Sequence, residues 1–215
     1  MKTGIIFDLD GTLLDTLDDL LDATNYALTA LGYPTRTKPE LRSFVGNGAK
    51  NQMRLSLPEG STEAQIQALL DIYKPYYDAH CRIKTRPYPG IPEALAVLKE
   101  KYPLAIVSNK PDSAVKSLCK EYFPGIYARG EAADCPRKPA PDMVFKTMEA
   151  MGVEKCIYVG DSEVDVLTAK NAGAPCVCVL WGFRDKPQIE AAGGEYFCET
   201  AEQLVSVIEE IVNGQ

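Results

Sequence analysis

Hydrophobic and polar positions divide this chain into two textures. Between about residues 16 and 83 the apolar positions recur at helical spacing. Leu17, Leu20, Leu21, Thr24, Leu28 and Leu31 line one face, Asp18, Asp19 and Asp22 sit in the early turns, and Gly32 and Pro34 follow the end. Pro39 to about Met53 reads as a short helix, a turn at Gly46-Asn47-Gly48 and the start of another helix. Ser61 or Thr62 can cap the next one, whose apolar face is Ile66, Leu69, Leu70, Tyr73, Tyr76 and Tyr77. After the turn-rich joint Arg86-Pro87-Tyr88-Pro89-Gly90 the texture changes. Strand-length runs at 103–108, 126–130, 155–160, 175–180 and 195–198 alternate with helical patterns at 91–100, 112–122, 140–151, 163–172, 185–192 and 201–212.

Alternation of this kind predicts an α/β fold, a parallel sheet with helices on both faces. Ile5-Ile6-Phe7 reads as its buried first strand, so the helical stretch is a small all-helical insertion after that strand. The expected division is a core of residues 1–15 and 84–215 and an inserted domain of residues 16–83.

The first strand delivers Asp8 and Asp10 one residue apart, just before Gly11. On an extended backbone both carboxylates point to one side, and their repulsion invites a divalent cation. Hard oxygen ligands in an incomplete carboxylate shell point to Mg²⁺. An Asp-Gly turn after a strand is the ordinary alternative. Three further segments weigh against it: Val107-Ser108-Asn109-Lys110 closes a second apolar run, Lys138-Pro139 sits in a Pro-rich loop, and Gly160-Asp161-Ser162-Glu163-Val164-Asp165 closes a third. Ligands of open parallel sheets bind beyond the carboxyl ends of the strands, where Asp10, Ser108 and Asp161 all fall.

Composition narrows the partners. A net charge of −7 leaves no basic stripe for nucleic acid or a membrane surface. No apolar run approaches the ~18 residues of a membrane span, and no basic-then-apolar leader is visible. Seven cysteines without a C-x-x-C pair read as reduced thiols of a cytoplasmic protein. Zinc would need four ligands, yet only Cys176 and Cys178 are close together and His80 is the single histidine.

Asp8-Leu9-Asp10-Gly11-Thr12, Ser108, Lys138 and Gly160-Asp161 with Asp165 resemble, in order, the four motifs of the haloacid dehalogenase superfamily. The resemblance implies a Rossmann-like core with a helical cap of the C1 class that closes over small substrates. Carried over to these positions, it makes Asp8 the nucleophile that forms an aspartyl-phosphate. Asp10 becomes the general acid and base, and its backbone carbonyl joins Asp8 and Asp161 around Mg²⁺. Ser108, Asn109 and Lys138 become the phosphate ligands, with Asp165 holding a metal-bound water or Lys138 in place. A helix cap at Ser108, a solvated loop lysine at 138 and a helix N-terminal acid at Asp165 are the plainer structural readings.

Phe44 to Lys50 and Val179 to Arg184 resemble the phosphoglycolate phosphatase branch. That likeness nominates Gly46, Asn47, Gly48 and Lys50, with Arg54 nearby, for a substrate carboxylate; an inter-helix turn and a packed Trp181 are the alternatives. The expected activity is Mg²⁺-dependent hydrolysis of a small phosphorylated metabolite by a monomer or homodimer. A sugar phosphomutase of the same superfamily and a non-enzymatic phospho-acceptor module remain open.

Overall fold

In the computed structural model, which describes residues 2–214, the chain begins with β1 (Thr3–Phe7) and the two-residue β2 (Leu14–Asp15). Four helices follow, α1 (Leu17–Ala30), α2 (Lys38–Phe44), α3 (Gly48–Ser56) and α4 (Glu63–His80), before β3 (Arg86–Pro87). Alternation then sets in: α5 (Ile91–Lys99), β4 (Leu104–Pro111), α6 (Asp112–Tyr122), β5 (Tyr127–Glu131), α7 (Asp142–Met151), β6 (Lys155–Gly160) and α8 (Glu163–Ala172). The chain closes with β7 (Cys176–Val179), α9 (Lys186–Ala191), β8 (Tyr196–Cys198) and α10 (Ala201–Asn213).

Six strands form one sheet in the order β5-β4-β1-β6-β7-β8, and every pairing in it is parallel. The sheet's period of two assigns each strand's side chains to opposite faces. Ile5, Phe7, Ile157, Val159, Val177 and Val179 join one apolar cluster, while Ile6, Cys156, Tyr158, Cys176 and Cys178 join the other. Helices cover both faces, so Ile5, Ile6 and Phe7 are entirely buried. At about 1.5–3 kcal/mol for each such side chain, β1 is the strand the sheet can least lose.

The helical insertion starts as the periodicity predicts. Thr37 with Glu40 and Thr62 with Gln65 form reciprocal capping boxes at the starts of α2 and α4. Two features differ from expectation. The insertion leaves and re-enters the core through an antiparallel ribbon, with Leu14 opposite Pro87 and Asp15 opposite Arg86; two-residue strands are too short to carry a periodic signal. Asp19 of α1 ties down the return by accepting from the backbone N–H groups of Lys84 and Thr85. The second strand predicted at 103–108 runs on to Pro111, so Ser108 and Asn109 lie in extended chain and not in the first turn of α6.

Candidate active site

β1 lies between β4 and β6, and chain order runs outward from it in opposite directions. Such a switch point opens a crevice at the carboxyl ends of the strands. Asp8 follows β1 directly, and its N–H donates to Val159 O at 2.8 Å, which locks it to β6. Gly11 then turns the chain at φ +83°. An added Cβ there would stand 2.4 Å from Asp161 Oδ2, so a bare backbone is needed to bring these two carboxylates together. Gly160 instead leaves room for the Asp165 side chain, which a Cβ would meet at 2.3 Å.

The floor of the crevice is a buried ion cluster. Lys138 is 2 % exposed, and its Nζ lies 2.9 Å from Asp8 Oδ1, 2.8 Å from Asp165 Oδ1 and 3.0 Å from the Tyr158 hydroxyl. Asn109 clamps this loop from β4: its amide donates to Lys138 O at 3.0 Å, and its Oδ1 accepts from Lys138 N at 2.8 Å. Burial alone would strip the proton from Lys138, but Asp165 and Asp8 more than offset it and hold the ammonium well above its ordinary range. Asp165 Oδ2 also accepts from Asp161 N, Ser162 N and the Ser162 hydroxyl, so this residue is at once a cap of α8 and a partner of Lys138.

Burial pushes Asp8 up to about 7 against the pull of Lys138, and pushes Asp161 well above the carboxylate range, with Asp165 and Asp8 adding to it. Removing three carboxylates from water against one ammonium is costly without a further cation. Carboxylate oxygens of Asp8, Asp161 and Asp165 all lie within 4.8 Å of one another. Asp8 Oδ1, although close to Lys138, has no hydrogen-bond partner among the described residues. These observations fit a metal ion: an all-oxygen, anionic, buried donor set with an orphaned oxygen suits a hard divalent cation. Asp161 is steered by Thr12 Oγ1 at 3.2 Å and Phe183 N at 2.6 Å. Asp165 is already committed to Lys138 and to its capping donors, so Asp8 and Asp161 have the freer oxygens.

Asp10 faces the insertion. Both of its oxygens take Lys110 Nζ, at 2.7 and 2.9 Å, and Oδ1 also accepts from Thr16 Oγ1 at 2.6 Å. The Lys110 ammonium stands 4.7 Å from the ring centre of Tyr77 in α4. Insertion and core are joined directly above. Arg184 donates to Arg42 O at 2.9 Å and Val45 O at 2.8 Å while Glu163 holds its Nε at 2.9 Å. Arg42 returns the contact to Gly182 O and Asp185, and Asn109 reaches Gly46 O at 3.2 Å. Together they enclose a cavity of about 60 Å³ lined by Asp8, Asp10, Ser108, Lys110, Gly48 and Tyr77 among others.

Asp8, Asp10, Ser108, Asn109, Lys138, Asp161 and Asp165 thus converge from four distant segments. Of the insertion residues singled out, Gly46 and Gly48 line the cavity. Asn47 and Lys50 do not line it, and Lys50 is paired with Glu63 at 2.7 Å on the exposed side. Arg54 folds onto Asn51. Trp181 packs near Tyr88 and donates to Thr12 O at 3.0 Å. Four residues that the sequence patterns left without a role join the site: Lys110, Tyr158, Thr16 and Arg184. A hydroxyl inside an apolar strand marks Tyr158, and Lys110 adjoins Ser108-Asn109; nothing local distinguishes Arg184.

A parallel-sheet core, a helical insertion after the first strand and a carboxylate cluster at the strand ends define a capped α/β hydrolase. The chain belongs to the haloacid dehalogenase-like hydrolases, whose family model matches residues 5–179. It is 35 % identical over 196 residues to the phosphoglycolate phosphatase of Agrobacterium fabrum, covering 86 % of this chain and 83 % of that protein. Identity to the phosphoglycolate phosphatase of Pseudomonas syringae pv. tomato is 37 % over 190 residues, 83 % of this chain and 70 % of the relative. A crystal structure of a Lactobacillus delbrueckii subsp. bulgaricus protein, provisionally assigned as a phosphoglycolate phosphatase, superposes with a TM-score of 0.91 at 38 % identity. It covers 97 % of this chain and 99 % of that one. Within the family the chain is therefore phosphoglycolate phosphatase-like, with the core and C1-type cap of that fold. No helix among the described residues is long and apolar enough to cross a membrane.

Proposed function

We propose that this protein is a Mg²⁺-dependent phosphatase of small phosphate monoesters, with 2-phosphoglycolate the preferred ester. The observation that carries the reading is the Asp8 carboxylate: buried, paired with Lys138 through Oδ1, and part of the cavity lining. A carboxylate oxygen of Asp8 attacks phosphorus in line, and the ester P–O bond breaks as Asp10 gives its proton to the departing oxygen. Asp10 then takes a proton from water, which attacks the aspartyl-phosphate, frees inorganic phosphate and restores Asp8. Asp8 and Asp161 would hold Mg²⁺ together with the Asp10 carbonyl; the ion's contribution is to neutralise negative charge on the phosphoryl oxygens. Lys138 supplies a fixed countercharge from the opposite side, and Ser108 supplies a hydroxyl to the same oxygens.

Residues 16–83 act in this reading as a cap that opens for substrate and closes to exclude water, with the β2–β3 ribbon as its base. Seven free thiols suit a reducing compartment such as the cytoplasm. The test is a panel of 2-phosphoglycolate, hexose phosphates, nucleotides and pyrophosphate, assayed with and without added Mg²⁺ and ranked by kcat/KM. Phosphoglycolate should lead, and Asp8→Asn should lose at least about 10⁴-fold in kcat while keeping the wild-type fold. Retained turnover in that variant would remove Asp8 as nucleophile, and transfer between hexose positions without phosphate release would make the protein a mutase.

A further inference from the structure

The cavity holds one buried cation that the chemistry at phosphorus does not use. Lys110 is 7 % exposed, it lines the cavity from β4, and its ammonium is held by Asp10 and the face of Tyr77. The other cations nearby are committed. Lys138 is taken by Asp8, Asp165 and Tyr158; Arg184 is taken by Glu163 and two carbonyls of the cap; Lys74, also at the cavity wall, is exposed. Lys110 lines the cavity and is paired with Asp10, the group that must reach the leaving oxygen. Asp10 cannot turn to the leaving oxygen while Lys110 spans both of its carboxylate oxygens.

We infer that Lys110 is the specificity-determining residue of the leaving-group side: it exchanges Asp10 for an anionic group, a carboxylate, on the alcohol portion of the substrate. This rests on the phosphatase reading above and deepens it. A substrate carboxylate matches the charge that Lys110 gives up and fits the place between β4 and the Gly46–Gly48 turn. An ester with a neutral alcohol offers nothing in exchange, so Asp10 stays pinned. Desolvation by Tyr77 and the closed cap makes the pairing strong, because a charge-assisted hydrogen bond gains as water is excluded. The enzyme thereby selects by charge on the alcohol and not only by size.

The experiment compares kcat/KM for 2-phosphoglycolate with that for ethyl phosphate, which has the same two carbons and no carboxylate, at saturating Mg²⁺. Wild-type enzyme should prefer phosphoglycolate by roughly 10- to 100-fold, the range expected for one hydrogen bond between charged groups. In Lys110→Met the ratio should fall toward unity, whatever loss the two esters share. Glycolate should inhibit wild-type hydrolysis of p-nitrophenyl phosphate competitively, at a concentration at least about tenfold below that needed for ethanol or for the variant. Equal constants for the two esters in the wild type would overturn the proposal without any variant, as would an unchanged ratio in a folded Lys110→Met. If wild-type enzyme cleaved none of the three esters, the phosphatase reading itself would fall, a result distinct from equal cleavage of all three.

Discussion

Two buried lysines of the site live in different surroundings: Lys110 lines the cavity, and Lys138 lies behind it against Asp8 and Asp165. Lys138 has all its partners in the core: Asp8, Asp165 and Tyr158 around its ammonium, Asn109 on its backbone. Lys110 is shared, with Asp10 on the segment entering the cap, beside Thr16, and Tyr77 in the cap itself. A charge enclosed by one rigid unit keeps its place through a catalytic cycle. A charge enclosed by two units keeps it only while they are together. In the reading proposed above, the first arrangement serves the phosphoryl group, identical in every substrate, and the second serves the variable alcohol.

The contrast can be broken at its strongest point by Lys138→Met. Asp8 and Asp165 would then be buried without their countercharge, at a cost of about 3–5 kcal/mol in stability, and loss of a fixed donor to the phosphoryl oxygens should lower kcat by about 10²–10³-fold. Denaturant unfolding and steady-state assays read the two effects separately. A variant of wild-type stability would show that the floor is not a saturated ion cluster.

Arg184→Ala acts between the units. It removes donors from Arg42 O and Val45 O, and the expected loss of stability is about 1–2 kcal/mol. KM should rise several-fold with kcat less affected, since less binding energy would favour the closed state. A drop in kcat with unchanged KM would count against a latch. Lys50→Ala is the weakest: its pair with Glu63 is exposed and lies away from the cavity, so kcat/KM for phosphoglycolate should stay within about twofold. A tenfold loss would put Lys50 back among the substrate residues.

The floor of the site was legible in part because Asp8, Ser108 and Asp161 lie at the ends of strand-like runs, and strand ends of a parallel sheet meet in one place. All three fit that rule, and the four-motif resemblance singled them out from the ordinary turn and cap readings. The alcohol side was poorly legible for the opposite reason. Lys110 and Arg184 acquire their partners through contacts 100 and about 140 residues away, made across the join between cap and core. Local pattern drew attention to Lys50, whose charge lies near the right turn in sequence and on the wrong side of the helix in space.

Periodicity and spacing by themselves determined the alternating core and the helical insertion after β1, because burial patterns and turn chemistry are local properties of the chain, and the four-motif resemblance nominated the groups that meet at the strand ends. Only the tertiary structure decided that Asp165 serves both as a helix cap and as the Lys138 partner, that the cap stands on a two-stranded ribbon, and that Lys110 bridges Asp10 and Tyr77. Those outcomes depend on how two units approach each other, and distances across such a join are set by packing rather than by any spacing along the sequence.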